Sequence, residues 1–199
     1  MKIFFLLTLL TLSLFGSNVN ESLLKVHATL VPKIYLMDYD FTDKIVDNTI
    51  TIAIVYKKID YQSAKELQTL IKSRYKKGIQ YYLVNPILVS YEDIDTTEAN
   101  VYYLFPSSKK MIKKVVQRAS LSNALTFSYK KDDLEYGVMI SLSIAKKVKP
   151  ILNLEAIRVN AISLRPVLID ISVIFTNALG LNMNESQIKN FLNPKKYWV

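Results

Sequence analysis

The amino-acid sequence predicts one α/β domain: a mixed, mostly parallel sheet flanked by helices, with an antiparallel hairpin near its C-terminal end. Three observations predict it. Helix-patterned and strand-patterned segments alternate through the first two-thirds of the chain, as crossovers between parallel strands require. Three strand-like segments then follow one another between residues 124 and 154, which makes neighbours antiparallel. The 199 residues are 50% hydrophobic, enough for one core, and no linker or internal repeat divides them.

Taken in order, Met1-Lys2, the apolar stretch Ile3 to Phe15 and the small residues Gly16-Ser17 read as a secretory signal over 1–17. The domain is then 18–182, followed by a polar tail, 183–199. Asn20 is placed to cap a helix whose stripe runs through Leu24, His27, Ala28, Val31 and Ile34, and Pro32 should kink or split it. Asp47-Asn48 supplies a turn, and Thr49 to Tyr56 alternates with β-branched residues, as a central strand does. Ser63 and Glu66 form the pattern of a capping box for a helix over 63–77, with Gly78 suited to a left-handed stop. Ile79 to Val84 and Ile87 to Tyr91 read as two extended pieces either side of Asn85-Pro86. Val101 to Phe105 is a strand halted by Pro106.

Ser107 can cap an amphipathic helix to about Ala119, apolar along Met111, Ile112, Val115 and Val116 and basic along Lys109, Lys110, Lys113, Lys114 and Arg118. Core packing with a wet lysine face is favoured over contact with anionic lipid, because flanking strands need a cover. Strands at Ala124 to Tyr129, Gly137 to Ile144 and Val148 to Leu154 follow, with Pro150 marking an edge or bulge. Helices over 155–162 and 167–179 close the domain, the second begun by Pro166 and ended by Gly180.

Composition excludes several chemistries. There is no Cys, which removes disulfides, thiol catalysis, zinc fingers and iron–sulfur centres. The four glycines form no phosphate-cradling loop, so nucleotide hydrolysis is disfavoured. His27 is the one histidine, and its place in an apolar stripe favours a buried structural imidazole. Three acidic groups stand out: Asp38, Asp40, Asp43 and Asp47; Glu92, Asp93 and Asp95; and Asp132, Asp133 and Glu135. None has the spacing of a calcium loop, and all read as solvated turns. The 13 tyrosines include Tyr81-Tyr82 and Tyr102-Tyr103, which as strand residues put one ring on each sheet face. Formal net charge is +9. It is spread along the chain, and export argues against nucleic acid as its partner.

The motifs Leu125-Thr126-Phe127-Ser128, Gly137-Val138-Met139-Ile140 and Asn153-Leu154-Glu155-Ala156, with Ile162-Ser163 leading into Val167-Leu168-Ile169, resemble the YfiR/HmsC family of periplasmic regulators. The resemblance extends to the first helix and the Ile50–Val55 strand. It implies a periplasmic, non-enzymatic α/β protein without cofactor. Its partner would be the periplasmic sensor part of an inner-membrane diguanylate cyclase, held so that cyclic-di-GMP output and biofilm fall. The chain departs from the pattern in having Val138 where a second Gly is usual, and it has no cysteine for the disulfides some members carry.

Docking of this kind needs a surface whose affinity differs between two states of the partner. The segment from Gly137 to Ile157 is the place expected to supply it, with Met139, Ile140, Ile151 and Ile157 as apolar anchors and Lys146 and Lys147 as a basic rim. A homodimer is compatible with such a surface, and peripheral lipid contact through Lys109 to Arg118 is disfavoured. Three other readings stay open. A secreted small-ligand sensor with tyrosines lining a pocket at the strand ends is the first alternative. An enzyme using a close carboxylate pair and a lipid-bound envelope protein are the others.

Overall fold

The computed structural model describes residues 19–176, and the signal segment, Gly180 and the tail lie outside them. The first helix, α1 (Glu21–Tyr35), starts where Asn20 accepts a hydrogen bond from the Leu23 N–H at 3.2 Å. Pro32 does not split it: the helix continues to Tyr35, because the proline sits one turn from the end. The Tyr75 hydroxyl donates to the Thr29 carbonyl at 2.6 Å, beside the Ala28 carbonyl that Pro32 cannot satisfy. Asp47 and Asn48 both take positive φ, 51° and 52°, between Val46 and Thr49, so the expected turn has the left-handed pair that Asp and Asn tolerate best.

Strand β1 (Thr49–Tyr56) leads to α2 (Tyr61–Arg74), β2 (Leu83–Ser90), β3 (Val101–Leu104), α3 (Lys109–Ser120) and β4 (Leu125–Ser128). Then come the hairpin β5 (Ile140–Ile144) and β6 (Val148–Leu152), the short helices α4 (Leu154–Val159) and α5 (Pro166–Asp170), and β7 (Val173–Ile174). The seven strands stand in the order β2-β1-β3-β4-β5-β6-β7. Every pairing is parallel except β5 with β6: the final hairpin is antiparallel as expected, whereas β4 and β5, although consecutive strands, pair in parallel because the 3-10 turn Lys131–Tyr136 carries the chain back between them.

Period-two alternation sorts the core into two layers. Ile50, Ile52, Ile54, Tyr103 and Phe127 point to one face, where α1, α2, α4 and α5 cover them. Ala53, Val55, Tyr102 and Leu104 point to the other, beneath α3 and the 3-10 turns Tyr91–Thr96 and Lys131–Tyr136. Tyr102 and Tyr103 therefore place one ring in each layer. The lysine-bearing helix packs as expected, with Ile112, Val115 and Ala119 buried; its cap is Ser108, one residue after Ser107.

Four local expectations are corrected. The second helix begins at Tyr61, so Ser63 lies inside its first turn and not at the cap, which Asp60 holds without a side-chain cap bond. Residues 83–90 are one strand through Asn85-Pro86. A single strand is tolerated because β2 is the sheet edge and its ladder uses Leu83, Asn85, Ile87 and Val89, which leaves the proline nitrogen facing outward. Tyr81 and Tyr82 sit in the tight turn before β2, not in a strand, and Tyr81 is almost wholly exposed. The last helix stops at Asp170, and the chain then adds β7 alongside β6. Pro150 lies in the half of β6 that β7 does not reach, which is an edge position.

Candidate functional site

His27 is buried in an aromatic cage. Its Nδ1 pairs with the Tyr103 hydroxyl at 3.0 Å, its ring stacks on Tyr129, and Tyr103 and Phe127 meet it edge-on. Burial pushes its pKa down to about 4, so the imidazole is neutral at pH 7. It is a packing element, as its position in the stripe predicts.

The three acidic groups split. Glu92, Asp93 and Asp95 are exposed, as solvated turns are, and Asp95 pairs with Lys114 at 2.7 Å. Asp38 and Asp133 depart from that reading because each is drawn into the interior by its own set of donors. Asp38 takes the Lys44 ammonium at 2.6 Å and the backbone N–H groups of Asp40 and Ser163, at 3.3 and 3.2 Å. With Tyr39 N–H donating to Ser163 and Arg165 N–H to Met37, it staples the end of α1 to the segment before α5. Asp133 accepts from the Ser128 hydroxyl, and burial raises its pKa against that bond. Among the described residues no three Asp, Glu, His or Cys side chains assemble to hold a metal.

The tyrosines also serve the fold. Tyr35, Tyr75, Tyr91 and Tyr102 are each donors to a backbone carbonyl, those of Phe41, Thr29, Phe105 and Thr97. Their rings fill the layers while the hydroxyls close loops. The pocket of tyrosines at the strand ends, which a small-ligand reading calls for, is not formed by these residues.

The expected docking anchors are mostly interior. Met139 and Ile140 are completely buried, and Ile151 and Ile157 are nearly so, because β5 and β6 are covered on both faces and α4 presses Ile157 into the first layer. Lys146 and Lys147 are exposed, as a rim requires. What the hairpin does expose is the cross-strand pair Ile144 and Val148 at its tip, 50% and 40% accessible, with Lys146, Lys147 and Lys149 around it. The sequence signal for this pair was present: alternation from Ile140 continues to Ile144 past the last position that a helix covers.

The same hairpin meets the rest of the sheet across an unusual seam. Strands β4 and β5 share one Cα pair, Phe127 with Ile140. Side chains of the Leu-Thr-Phe-Ser motif complete the contact. Thr126 Oγ1 accepts from Met139 N–H at 2.9 Å, and the Ser141 hydroxyl donates to the Ser128 carbonyl at 3.0 Å. Asn153 N–H extends the hairpin's own ladder to the Met139 carbonyl at 2.8 Å, and its side-chain amide donates to the Leu134 carbonyl of the 3-10 turn before β5 at 2.9 Å. Thr126, Ser141 and Asn153 thus tie the hairpin to its neighbours.

No protein-family model matches the sequence, and no curated protein matches it. Solved structures align with part of the chain, two of them as follows. A conserved domain protein from Vibrio cholerae O1 biovar El Tor aligns with a TM-score of 0.55 at 14% identity, over 77% of this chain and 60% of that one. The ABC domain from Streptococcus pneumoniae in complex with L-Trp aligns with a TM-score of 0.47 at 11% identity, over 71% of this chain and 60% of that one. This chain therefore spans about three-fifths of the structures it resembles, and at such identity the first likeness shows a shared α/β architecture alone.

Proposed function

We propose that the protein is a periplasmic regulatory binding protein. It docks on the periplasmic sensor part of an inner-membrane diguanylate cyclase and represses cyclic-di-GMP output, without chemistry of its own. The observation that supports this most is the β5–β6 tip: an exposed aliphatic pair, Ile144 and Val148, ringed by Lys146, Lys147 and Lys149. An apolar centre with a charged rim is the anatomy of a protein-binding patch, and this one selects a partner with an acidic margin. The resemblance of the surrounding motifs to the YfiR/HmsC family supplies the partner class. The commitment of His27, Asp38 and Asp133 to structural bonds fits a non-enzymatic role.

The test is capture of detergent-solubilised inner membranes by the exported protein, with cyclic-di-GMP measured in a deletion strain. The expected result is co-purification of a cyclase and a rise in the nucleotide on deletion. The double variant Lys146→Glu with Lys147→Glu should lose capture while remaining folded. Unchanged nucleotide and no captured cyclase would overturn the proposal.

A further inference from the structure

Where α1 ends, the turn before β2 and the start of α5 come together around a cleft of about 200 Å³. Its apolar lining is Leu36, Met37, Phe41 and Ile79, of which Leu36 and Phe41 are nearly buried and the other two half-buried. Two cations, Lys33 and Arg165, also line it, and no carboxylate does. Both are exposed, and neither makes an ion pair among the described residues. The nearby acid, Asp38, is already committed to Lys44. Arg165 lies over the Tyr39 ring, 5.3 Å from its centre. No hydrogen bond or ion pair among the described residues engages the guanidinium donors, which are left to an acceptor.

The seventh lining residue points the same way. Gln80 holds φ at +55° in the tight turn that Ile79 and Tyr82 close with reciprocal backbone bonds. A left-handed position favours Gly or Asn, as Asp47 and Asn48 illustrate in the turn before β1, and Gln is a less usual occupant. Gln80 thus adds an exposed polar residue to the same lining as the two cations.

We infer that this cleft binds a small carboxylate with a short apolar body, the tail lying on Leu36, Met37, Phe41 and Ile79 and the carboxylate reaching Lys33 and Arg165. The class follows from the lining. Two unpaired-with-acid cations select an anion, the apolar floor selects an aliphatic or aryl tail, and the volume is below the roughly 300–1,000 Å³ of sites for larger ligands. The inference is separate from the docking surface, since the cleft shares no residue with the hairpin tip.

The probe is octanoate, titrated against the full chain with ¹³C-labelled methionine methyl groups, with octan-1-ol as the uncharged control. Saturable movement of the Met37 methyl resonance is expected with octanoate, while Met139, sealed in the core, stays in place. Octan-1-ol should bind about tenfold more weakly or worse, as loss of charge-assisted hydrogen bonds implies. The variant Lys33→Gln with Arg165→Gln should lose affinity to the same degree, and Arg165→Lys should retain most of it; both substitutions lie on the surface. No movement at Met37, equal binding by the doubly substituted protein, or joint movement of Met37 and Met139 would overturn the inference.

Discussion

The two halves of the sheet share both apolar layers but differ in how their strands are joined. From β2 to β4 the strands run in register over eight pairs and then over four and four, with an apolar layer on each face. Between β4 and β5 the ladder shrinks to one pair, and the buried Thr126 and Ser141 add side-chain bonds across it, while Asp133 and Asn153, also buried, tie the 3-10 turn Lys131–Tyr136 to Ser128 and to the end of the hairpin. Hydrophobic burial is non-directional and tolerates small shifts, whereas buried hydrogen bonds are lost abruptly when geometry changes. The first half is a scaffold. The second is a unit attached by specific contacts, and it carries the proposed docking tip.

Removing the largest shared piece should affect both halves together. Phe127 packs against His27 and Tyr103 and is also the residue paired with Ile140. Phe127→Ala is expected to cost about 3–5 kcal/mol in urea unfolding. Loss below about 1 kcal/mol would show that the halves do not share that core. The Asp38 staple comes next, since it joins α1 of the first half to the segment before α5. Asp38→Ala strands Lys44 and two backbone N–H groups, and on the order of 3 kcal/mol should be lost.

Acid should weaken the scaffold through His27. Its pKa in the fold is about 4 against 6.5 ordinarily, so the unfolded chain binds the proton more readily between those values. Stability from the neutral imidazole is complete above pH 6.5 and is lost as pH falls toward 4, by roughly 3 kcal/mol over the window. Asp60 and Asp133, whose pKa values are raised by burial, act with the opposite sign: the fold favours their protonated forms. Comparison of unfolding free energy at pH 7 and pH 4.5 between the native chain and His27→Gln isolates the histidine, and equal slopes in the two proteins would refute its role.

At the seam, Ser141→Ala leaves the Ser128 carbonyl without its donor, and about 1–3 kcal/mol should be lost. Hydrogen exchange should then show β5 and β6 amides opening well before those of β1 and β3. Uniform acceleration across the sheet would erase the distinction between the halves. The smallest effect on stability is expected at the tip, where Lys146→Glu with Lys147→Glu should stay within about 0.5 kcal/mol of the native chain in thermal unfolding. Substitution there is then free to report on partner binding alone.

The parallel half was readable from the chain because its rules are local. Alternation placed β1 and β3, the stripe from Leu24 to Ile34 placed α1, and Asp47-Asn48 placed the turn between them. The errors cluster where a distant partner overrides the local rule. Pro32 stays helical beside Tyr75, Pro86 stays in a strand because the strand is an edge, and residues 173–174 leave a helical pattern to pair with β6. The docking anchors illustrate the same limit. Met139 and Ile140 look like surface candidates beside a basic turn, but whether a strand is covered on one face or two is not written in its own residues.

Sequence by itself determined the α/β class, the Asn20 cap, the Asp47-Asn48 turn, the buried histidine and the apolar faces of the long helices. Each of these follows from backbone preference and side-chain period within a few residues. Tertiary structure alone decided which acids are staples, which face of the hairpin reaches solvent, and that Lys33 and Arg165, 132 positions apart in the numbering, line one cleft. Burial and charge pairing depend on what arrives from elsewhere in the chain, and no local pattern records that arrival.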